Sequence, residues 1–171
     1  CEAIDAHADN AIRFFGAVPG TADFSRIRTE AKIFIFRMIY GGTAAGFARD
    51  NKMPDFSLEE WKRIVQEFYK KYPTLKKWQE DNYATVLRQG YLKSFTGRIL
   101  TFPKVQRYDG SFGPSDKAAC NYPVQSIAAD MIYIAMVEIM RRIKELGLKS
   151  EFIIQVHDSM VFDAYEDEVD T

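Results

Sequence analysis

The amino-acid sequence predicts a mixed α+β fold that is mostly helical. Capping residues, prolines and glycines mark the ends of three helical segments before residue 91. Beyond them, two stretches with strand-like character enclose one long apolar helix. No internal repeat and no low-complexity stretch interrupts this pattern. Elements grouped in this way are typical of the α+β class.

The predicted helices follow from their end signals. Residues 1–20 are mixed in character and close with the turn signal Pro19-Gly20. Asp23 and Ser25 are both good N-cap residues for a first helix, and Ser57 opens a capping box. The expected helices run from Asp23 or Ser25 to Tyr40, from Ser57 to about Lys71, and from Pro73 to Gly90.

Two β-hairpins and a long helix are expected in the rest of the chain. Residues 91–102 alternate around Thr96-Gly97, which predicts a hairpin. Residues 104–115 are rich in glycine and proline and are expected to form a loop. The elements expected after this loop are a helix from Pro123 to Leu146 and two strands, 151–156 and 160–164, which flank His157-Asp158-Ser159.

Composition indicates a soluble globular protein, because 47% of the 171 residues are hydrophobic and 27% are charged. A net charge of −1 argues against a strongly basic, nonspecific DNA binder, although segregated charge leaves nucleic acid open. Cys1 and Cys120 do not make a disulfide scaffold, so a reducing cytoplasm is expected. The apolar stretch 127–140 carries Asp130 and Glu138, so no membrane span is expected.

Arg28, Lys32, Phe36 and Tyr40 recur every four residues on the first predicted helix. A step of four drifts only about 40° around a helix, so the side chains form a slanted stripe about 18 Å long. Its cationic end coincides with the positive end of the helix dipole, and its other end is aromatic. This polarity suits a nucleoside triphosphate, with phosphates on the cations and the nucleoside on the aromatic rings. An amphipathic helix with a basic end and aromatic core residues fits the same spacing.

The segment from Arg28 to Gly41 resembles the fingers-helix motif of family A DNA polymerases, known as motif B. The resemblance extends from Asp5-Ala-His7 almost to the end of the chain. It implies that the basic pair binds the triphosphate of a dNTP, that the first aromatic residue packs on the incoming sugar, and that the second lies by the nascent base pair. The implied dNTP-binding residues are Arg28, Lys32, Phe36 and Tyr40, with His7 as a further candidate.

Lys117, Asn121 and Gln125 also recur every four residues, although Pro123 makes a regular helix uncertain there. Side-chain amides can hydrogen-bond the minor-groove acceptors that every base pair presents, which tests pairing without reading sequence. Helix capping or solvent contact would explain the same residues. The segment is similar to the family's Asn-x-Pro-x-Gln element, with Lys117 where arginine is usual, so these three residues are expected to contact DNA.

His157-Asp158-Ser159 is expected to form the tip of a hairpin. An aspartate there can present a carboxylate to Mg²⁺, although aspartate and serine are also ordinary turn residues. The segment resembles motif C of the same family, where a strand enters a His-Asp-Glu turn. By this resemblance Asp158 is a catalytic metal ligand and His157 lies near the primer terminus in contact with DNA. Asp158, Lys32 and His157 are the residues expected to act in catalysis, and Ser159 replaces the usual glutamate.

The resemblance implies DNA-templated DNA synthesis by nucleotidyl transfer from dNTPs to a primer 3′ end. No segment before Arg28 matches motif A, which carries the second metal-binding aspartate. The chain is therefore expected to be a polymerase fragment, inactive when isolated, whose two-Mg²⁺ mechanism requires an upstream polypeptide carrying motif A. Its other expected partners are primer-template DNA and dNTPs, without a membrane, in a bacterial cytoplasm or in that of a phage-infected host.

The same resemblance predicts a partial right-hand polymerase fold, made of fingers helices and part of the antiparallel palm sheet. Its expected divisions are 1–22, leading from palm to fingers, 23–115, the fingers, and 116–171, the palm with the His-Asp-Ser hairpin. A single-subunit RNA polymerase is an alternative, against which Phe36 argues because a bulky aromatic residue there is typical of the DNA enzymes. The second alternative is a noncatalytic nucleotide- or DNA-binding remnant of a polymerase.

Overall fold

A computed structural model describes residues 5–106 and 110–169; Cys1 and the C-terminal Asp170 lie outside the described residues. The helices in the described part are α1 (Ala6–Phe15), α2 (Phe24–Ile39), α3 (Ala44–Ala48), α4 (Leu58–Lys71), α5 (Pro73–Gln89) and α6 (Asp116–Glu145). The strands are β1 (Tyr91–Lys93), β2 (Ile99–Thr101), β3 (Lys104–Gln106), β4 (Phe112–Pro114), β5 (Glu151–Val156) and β6 (Ser159–Asp163). They form the pairs β1–β2, β3–β4 and β5–β6. The predicted mostly helical α+β class is confirmed.

The predicted helix ends in the first half of the chain are confirmed, although the side chain of Asp23 forms no capping hydrogen bond at the start of α2. Ser57 and Glu60 form both hydrogen bonds of a capping box at the start of α4. Pro73 occupies the first position of α5, where its missing N–H costs nothing, and Gly90 ends that helix in a left-handed conformation. The sequence did not predict α1 or α3, which are capped by the side chains of Asp5 and Thr43.

Two predictions in the second half were wrong. Residues 104–115 are not only loop, since β3 and β4 pair antiparallel with Val105 opposite Gly113. A glycine and a proline are tolerated in so short a two-stranded pair, which has edges on both sides. The long helix begins at Asp116 rather than near Pro123, because the Ser115 hydroxyl caps it by accepting from the Ala118 N–H at 3.2 Å.

The chain divides into two compact units. The first comprises Cys1–Leu92 and Thr101–Asn121, and the second comprises Lys93–Leu100 and Tyr122–Thr171. The boundaries predicted at residues 22 and 115 stay a prediction.

An aromatic core holds the first unit together. Phe34 of α2 is completely buried, and its ring lies 5.1 Å from that of Phe47 and 5.6 Å from that of Phe68. Trp61 stacks on Phe47 at 4.9 Å between centroids. Aromatic pairs at these distances add to the free energy gained from burial alone. The buried members of this core are Phe14, Phe34, Met38, Phe47, Met53, Trp61, Ile64 and Phe68.

The second unit is built differently, because its buried residues within the described part are polar. They are Ser94, Ser126, Asp130 and Ser150. Asp130 of α6 is 4% exposed and forms an ion pair with Arg98. It also accepts a hydrogen bond from the Thr96 hydroxyl at 2.6 Å, which ties the hairpin turn to α6. Such a pair fixes geometry more than it adds stability, since the buried Asp130 carboxylate loses its hydration while Arg98 stays partly exposed.

The apolar side chains of α6 and of the β5–β6 hairpin are widely exposed. On α6, Met131 is 62% exposed and Val137 64% exposed, and on β5 Ile153 is 57% exposed. By length and composition alone, α6 would also be long and apolar enough to cross a membrane. A core helix of a soluble protein passes the same test. The absence of a membrane thus stays an expectation, which rests on Asp130 and Glu138.

Replacing Phe34 by alanine should destabilise the first unit by about 3–5 kcal/mol, because it removes a fully buried ring from a close-packed cluster. Phe112→Ala is the matched control, since that ring is 67% exposed in the same unit. Chemical denaturation of the chain measures both changes. Equal losses of unfolding free energy in the two variants would contradict this role of Phe34.

Candidate active site

The orientation of α2 determines which side chains are available for binding. Ala31, Phe34 and Met38 are buried on one face of the helix. Arg28, Lys32 and Phe36 therefore project from the other side, because each helical residue advances about 100°. Phe36 is 45% exposed although it is a large apolar side chain. The cations and Phe36 of the predicted stripe thus lie on an accessible surface, so Phe36 is not a core residue, whereas Tyr40 at the end of the stripe is half-buried.

Arg28 is held by an acidic partner that the sequence analysis did not identify. Its Nε donates to Asp5 Oδ2 at 2.8 Å. The other oxygen of Asp5 accepts from the N–H groups of His7 and Ala8, at 3.0 and 3.1 Å, and so caps α1. The hydrogen bond from Arg28, followed by that from the Ala8 N–H, lowers the pKa of Asp5. One carboxylate therefore both starts α1 and orients the arginine at the cationic end of the stripe.

His7 joins the same cluster through Phe36. The two ring centroids lie 6.3 Å apart with the planes tilted by 46°. Lys32 Nζ lies 6.0 Å from the centroid of Phe36, so the cation also faces the ring. His7, Arg28, Lys32 and Phe36 are thus brought together within the first unit. The cluster presents two cations and an exposed ring, a combination that suits an anionic group beside a flat apolar one.

Tyr40 and the two glycines after it end α2. Tyr40 is half-buried, and its N–H donates to the Phe36 carbonyl at 3.2 Å. Gly41 has φ +78°, a left-handed conformation that glycine adopts without steric cost. A β-carbon at Gly42 would lie 2.8 Å from the Arg37 carbonyl oxygen and 2.9 Å from the Phe47 ring. The backbone beyond Tyr40 is therefore too crowded for any larger side chain at Gly42.

The DNA-binding candidates 117, 121 and 125 all lie on α6. Lys117 is exposed near the end of α2, since a β-carbon at Gly41 would lie 3.8 Å from the Lys117 Cα. Asn121 is half-buried, and its Oδ1 has no hydrogen-bond partner among the described residues. Gln125 is exposed in the second unit. Pro123 does not interrupt the helix, so the spacing of four does place these side chains along one helix.

The His157-Asp158 turn connects β5 and β6 directly. Val156 pairs with Ser159, so the turn has two residues and Ser159 is the first residue of β6. His157 has φ +53°, and it is the only described residue other than glycine with a positive φ. The side-chain amide of Gln155 donates to the His157 carbonyl and supports this conformation. Such backbone conformations are uncommon outside glycine and are concentrated at functional sites.

Asp158 is exposed at the tip of this hairpin and supplies one carboxylate for a divalent cation. The described residues contain no group of three or more His, Cys, Asp or Glu side chains placed to hold a metal ion. A single aspartate with open surroundings fits one ligand position of Mg²⁺, which retains several water ligands, but does not make a complete site. The serine hydroxyl that follows is a weaker ligand than a carboxylate.

Comparison with known proteins gives concordant matches. The family model described as DNA polymerase family A matches residues 1–171. The chain is 31% identical over 168 residues to DNA polymerase I of Pseudomonas aeruginosa, covering 98% of this chain and 18% of that protein. It is 37% identical over 142 residues to DNA polymerase I B, chloroplastic/mitochondrial, of Arabidopsis thaliana, covering 82% of this chain and 13% of that protein.

A solved structure gives the same result. The POL domain of Pol1 from M. smegmatis, in complex with DNA primer-template and dNTP, matches with a TM-score of 0.76 and 28% identity. That match covers 95% of this chain and 28% of the other chain. The chain therefore spans less than a fifth of the length of the curated relatives named here.

The Asp5 carboxyl should titrate at a lower pH than an ordinary aspartate, because Arg28 favours its ionised form. A group whose pKa is lowered by folding contributes stability above its unfolded pKa and loses it as pH falls through the folded value. Arg28→Gln should move the titration midpoint up towards the ordinary range. Carboxyl chemical shifts measured by NMR over an acid titration provide the test. Arg26→Gln is the control, since Arg26 pairs with Asp23 and Glu30, and an equal upward shift there would contradict the assignment.

Proposed function

The chain belongs to DNA polymerase family A, and on that premise we propose that it forms the nucleotide-binding part of a DNA-directed DNA polymerase. The observation that carries this proposal is the accessible stripe on α2. Its cationic end is held by Asp5 and its aromatic end contacts His7. A single-subunit RNA polymerase and a noncatalytic remnant receive no support from the relatives, which are DNA polymerases I.

The stripe suits a dNTP for simple electrostatic reasons. The planar guanidinium of Arg28 can bind two phosphate oxygens at once, whereas Lys32 acts as a point charge on the same triphosphate. The exposed Phe36 ring then offers an apolar face to the sugar, and His7 lies against that ring. Tyr40, at the end of the helix, is proposed to contact the nascent base pair. The Asp5 carboxylate orients Arg28 without preventing its other nitrogens from binding phosphate.

Contacts to primer-template DNA are proposed for Lys117, Asn121, Gln125 and His157. The lysine is suited to a phosphate, and the two amides to minor-groove acceptors. Because these acceptors occur on every correct base pair, the amides would respond to pairing geometry rather than to sequence. His157, presented at the hairpin tip, is proposed to lie near the primer terminus.

The proposed reaction is nucleotidyl transfer from a dNTP to a primer 3′ end. Mg²⁺, when bound, would stabilise charge on the attacking and leaving oxygens. Asp158 would hold this ion through its carboxylate, and Lys32 would neutralise charge developing on the triphosphate. Arg28 would keep the triphosphate aligned for in-line displacement. The second carboxylate is proposed to come from motif A on an upstream polypeptide.

The exposed apolar surface of the second unit supports that partner. Within its described part, every buried residue is polar, and large apolar side chains of α6 and β5 face outward. Large exposed apolar patches mark surfaces that bind another polypeptide, a ligand or a membrane. An upstream polypeptide that adds strands to the β5–β6 hairpin would cover them and bring a carboxylate towards Asp158. In this assembly 1–22 leads from palm to fingers, 23–115 forms the fingers and 116–171 belongs to the palm.

Lys32→Ala should weaken dNTP use in the complete polymerase, in which the chain is joined to an upstream polypeptide carrying motif A. Losing one charge-assisted contact of about 1.5–3 kcal/mol corresponds to roughly a 10- to 150-fold lower incorporation efficiency. Single-turnover kinetics separate dNTP affinity from the maximal rate. Lys62→Ala is the control, because Lys62 pairs with Glu59 on α4. Unchanged kinetics in Lys32→Ala would rule out its proposed role.

The chain alone should not extend a primer, whereas the complete polymerase should. Asp158→Ala should then abolish extension, because it removes the carboxylate proposed to hold Mg²⁺. Asp163→Ala is the control, since Asp163 lies at the opposite end of the same hairpin, paired with Glu151. A primer-extension assay with Mg²⁺ and all four dNTPs provides the measurement. Robust extension by the isolated chain, or by the Asp158 variant, would show that the metal site lies elsewhere.

A further inference from the structure

The carbonyl end of α2 is capped by a side chain from another helix. Gln79 lies on α5 and is only 7% exposed. Its Nε2 donates to the Met38 carbonyl at 2.8 Å and to the Ile39 carbonyl at 2.9 Å. The last carbonyls of a helix have no partner within the helix, so one buried amide satisfies two of them. Gln79 thus bridges the two peptide carbonyls immediately before Tyr40.

The backbone turn completes the same cap. The N–H of Gly41 also donates to the Met38 carbonyl, at 3.1 Å, and that of Gly42 donates to the Arg37 carbonyl at 2.7 Å. A β-carbon at Gly42 would lie 2.9 Å from the Phe47 ring, so the turn has no space for a larger side chain at that position. The backbone is therefore held on both sides of Tyr40. Before it, the Met38 and Ile39 carbonyls accept from Gln79, and after it the N–H groups of Gly41 and Gly42 donate to α2.

Tyr69 fixes the orientation of the Gln79 amide. Its hydroxyl donates to Gln79 Oε1 at 2.9 Å, which leaves both amide N–H groups for the α2 carbonyls. Burial raises the pKa of Tyr69, so the hydroxyl stays protonated and remains a donor throughout the neutral range. Tyr69 lies on α4, and the chain of contacts therefore runs from α4 through α5 to the end of α2.

We infer that Gln79 is a positioning residue for base-pair selection, acting through the backbone at Tyr40. This inference rests on the proposed contact between Tyr40 and the nascent base pair. A fixed Tyr40 would resist the displacement that a mismatched pair requires, whereas a loosened one would admit it. Lys32 lies about 10 Å along the helix from Ile39, beyond the reach of this cap. Loss of Gln79 should therefore impair selectivity and leave triphosphate binding largely intact.

The matched control is a second glutamine on α5. Gln89 also donates its side-chain amide to a backbone carbonyl, that of Tyr91 at 3.0 Å, but it does so at the exposed far end of the helix. Gln79→Met and Gln89→Met each replace a glutamine by an unbranched apolar side chain of similar length. Tyr69→Phe removes only the hydroxyl that orients Gln79, so it tests the same contacts with a smaller change in packing.

The experiment measures single-nucleotide insertion by the complete polymerase with matched and mismatched dNTPs. The ratio of the two efficiencies does not depend on the fraction of active enzyme, so a loss of folded protein alone would not change it. Gln79→Met should raise the misinsertion ratio about tenfold, consistent with the loss of hydrogen bonds near Tyr40, and change the Kd of the correct dNTP by less than about twofold. Tyr69→Phe should raise the ratio less, and Gln89→Met should not change it.

An unchanged ratio in Gln79→Met, or an equal rise in Gln89→Met, would overturn the inference. If Gln79→Met does not fold, an unchanged ratio in Tyr69→Phe would overturn it instead. Failure of the proposed function has a different signature, because Lys32→Ala would then leave dNTP incorporation unaffected. A large effect of Lys32→Ala with no effect of Gln79→Met or Tyr69→Phe would reject the positioning role alone.

Discussion

Burial of Phe34 is the interaction on which the proposed nucleotide site depends. Its ring anchors one face of α2 in a cluster of aromatic side chains contributed by α1, α3 and α4. A helix held on one face can rotate very little, so Arg28, Lys32 and Phe36 must project from the other. An exposed phenylalanine beside two cations would be a poor arrangement for stability alone. It is a suitable one for a ligand with an anionic end and an apolar end.

The second unit relies on polar contacts where the first relies on aromatic packing. The ion pair between Arg98 and Asp130 fixes the hairpin turn on α6, while the apolar side chains of α6 and β5 remain exposed. The unit's apolar packing within the described part involves partly buried side chains such as Phe152 and Phe162, whose rings lie 5.6 Å apart, rather than fully buried ones. Its exposed apolar side chains form the surface that the proposed upstream polypeptide would cover.

Local sequence signals predicted α2, α4 and α5, but not the locally capped α1 and α3. The capping box at Ser57 and the proline at the start of α5 were sufficient to place those two helices. Proline and glycine were misleading in 104–115 and at Pro123, because strand pairing and a serine cap outweighed their ordinary preferences. The spacing of four also predicted correctly that Arg28, Lys32 and Phe36 lie near one another on α2, since a step of four residues returns to nearly the same helical face.

Contacts between residues far apart in the sequence could not be predicted from local signals. Asp5 hydrogen-bonds Arg28 across 23 positions of sequence and Gln79 hydrogen-bonds Met38 across 41, and no periodicity links either pair.

A structure of the complete polymerase with primer-template DNA, Mg²⁺ and a non-hydrolysable dNTP would examine the binding face of α2 directly. If that face binds nucleotide, triphosphate oxygens will lie about 3 Å from Lys32 Nζ and the Arg28 guanidinium, with the sugar against Phe36. A triphosphate bound away from α2, with Lys32 in solvent, would contradict the proposed site.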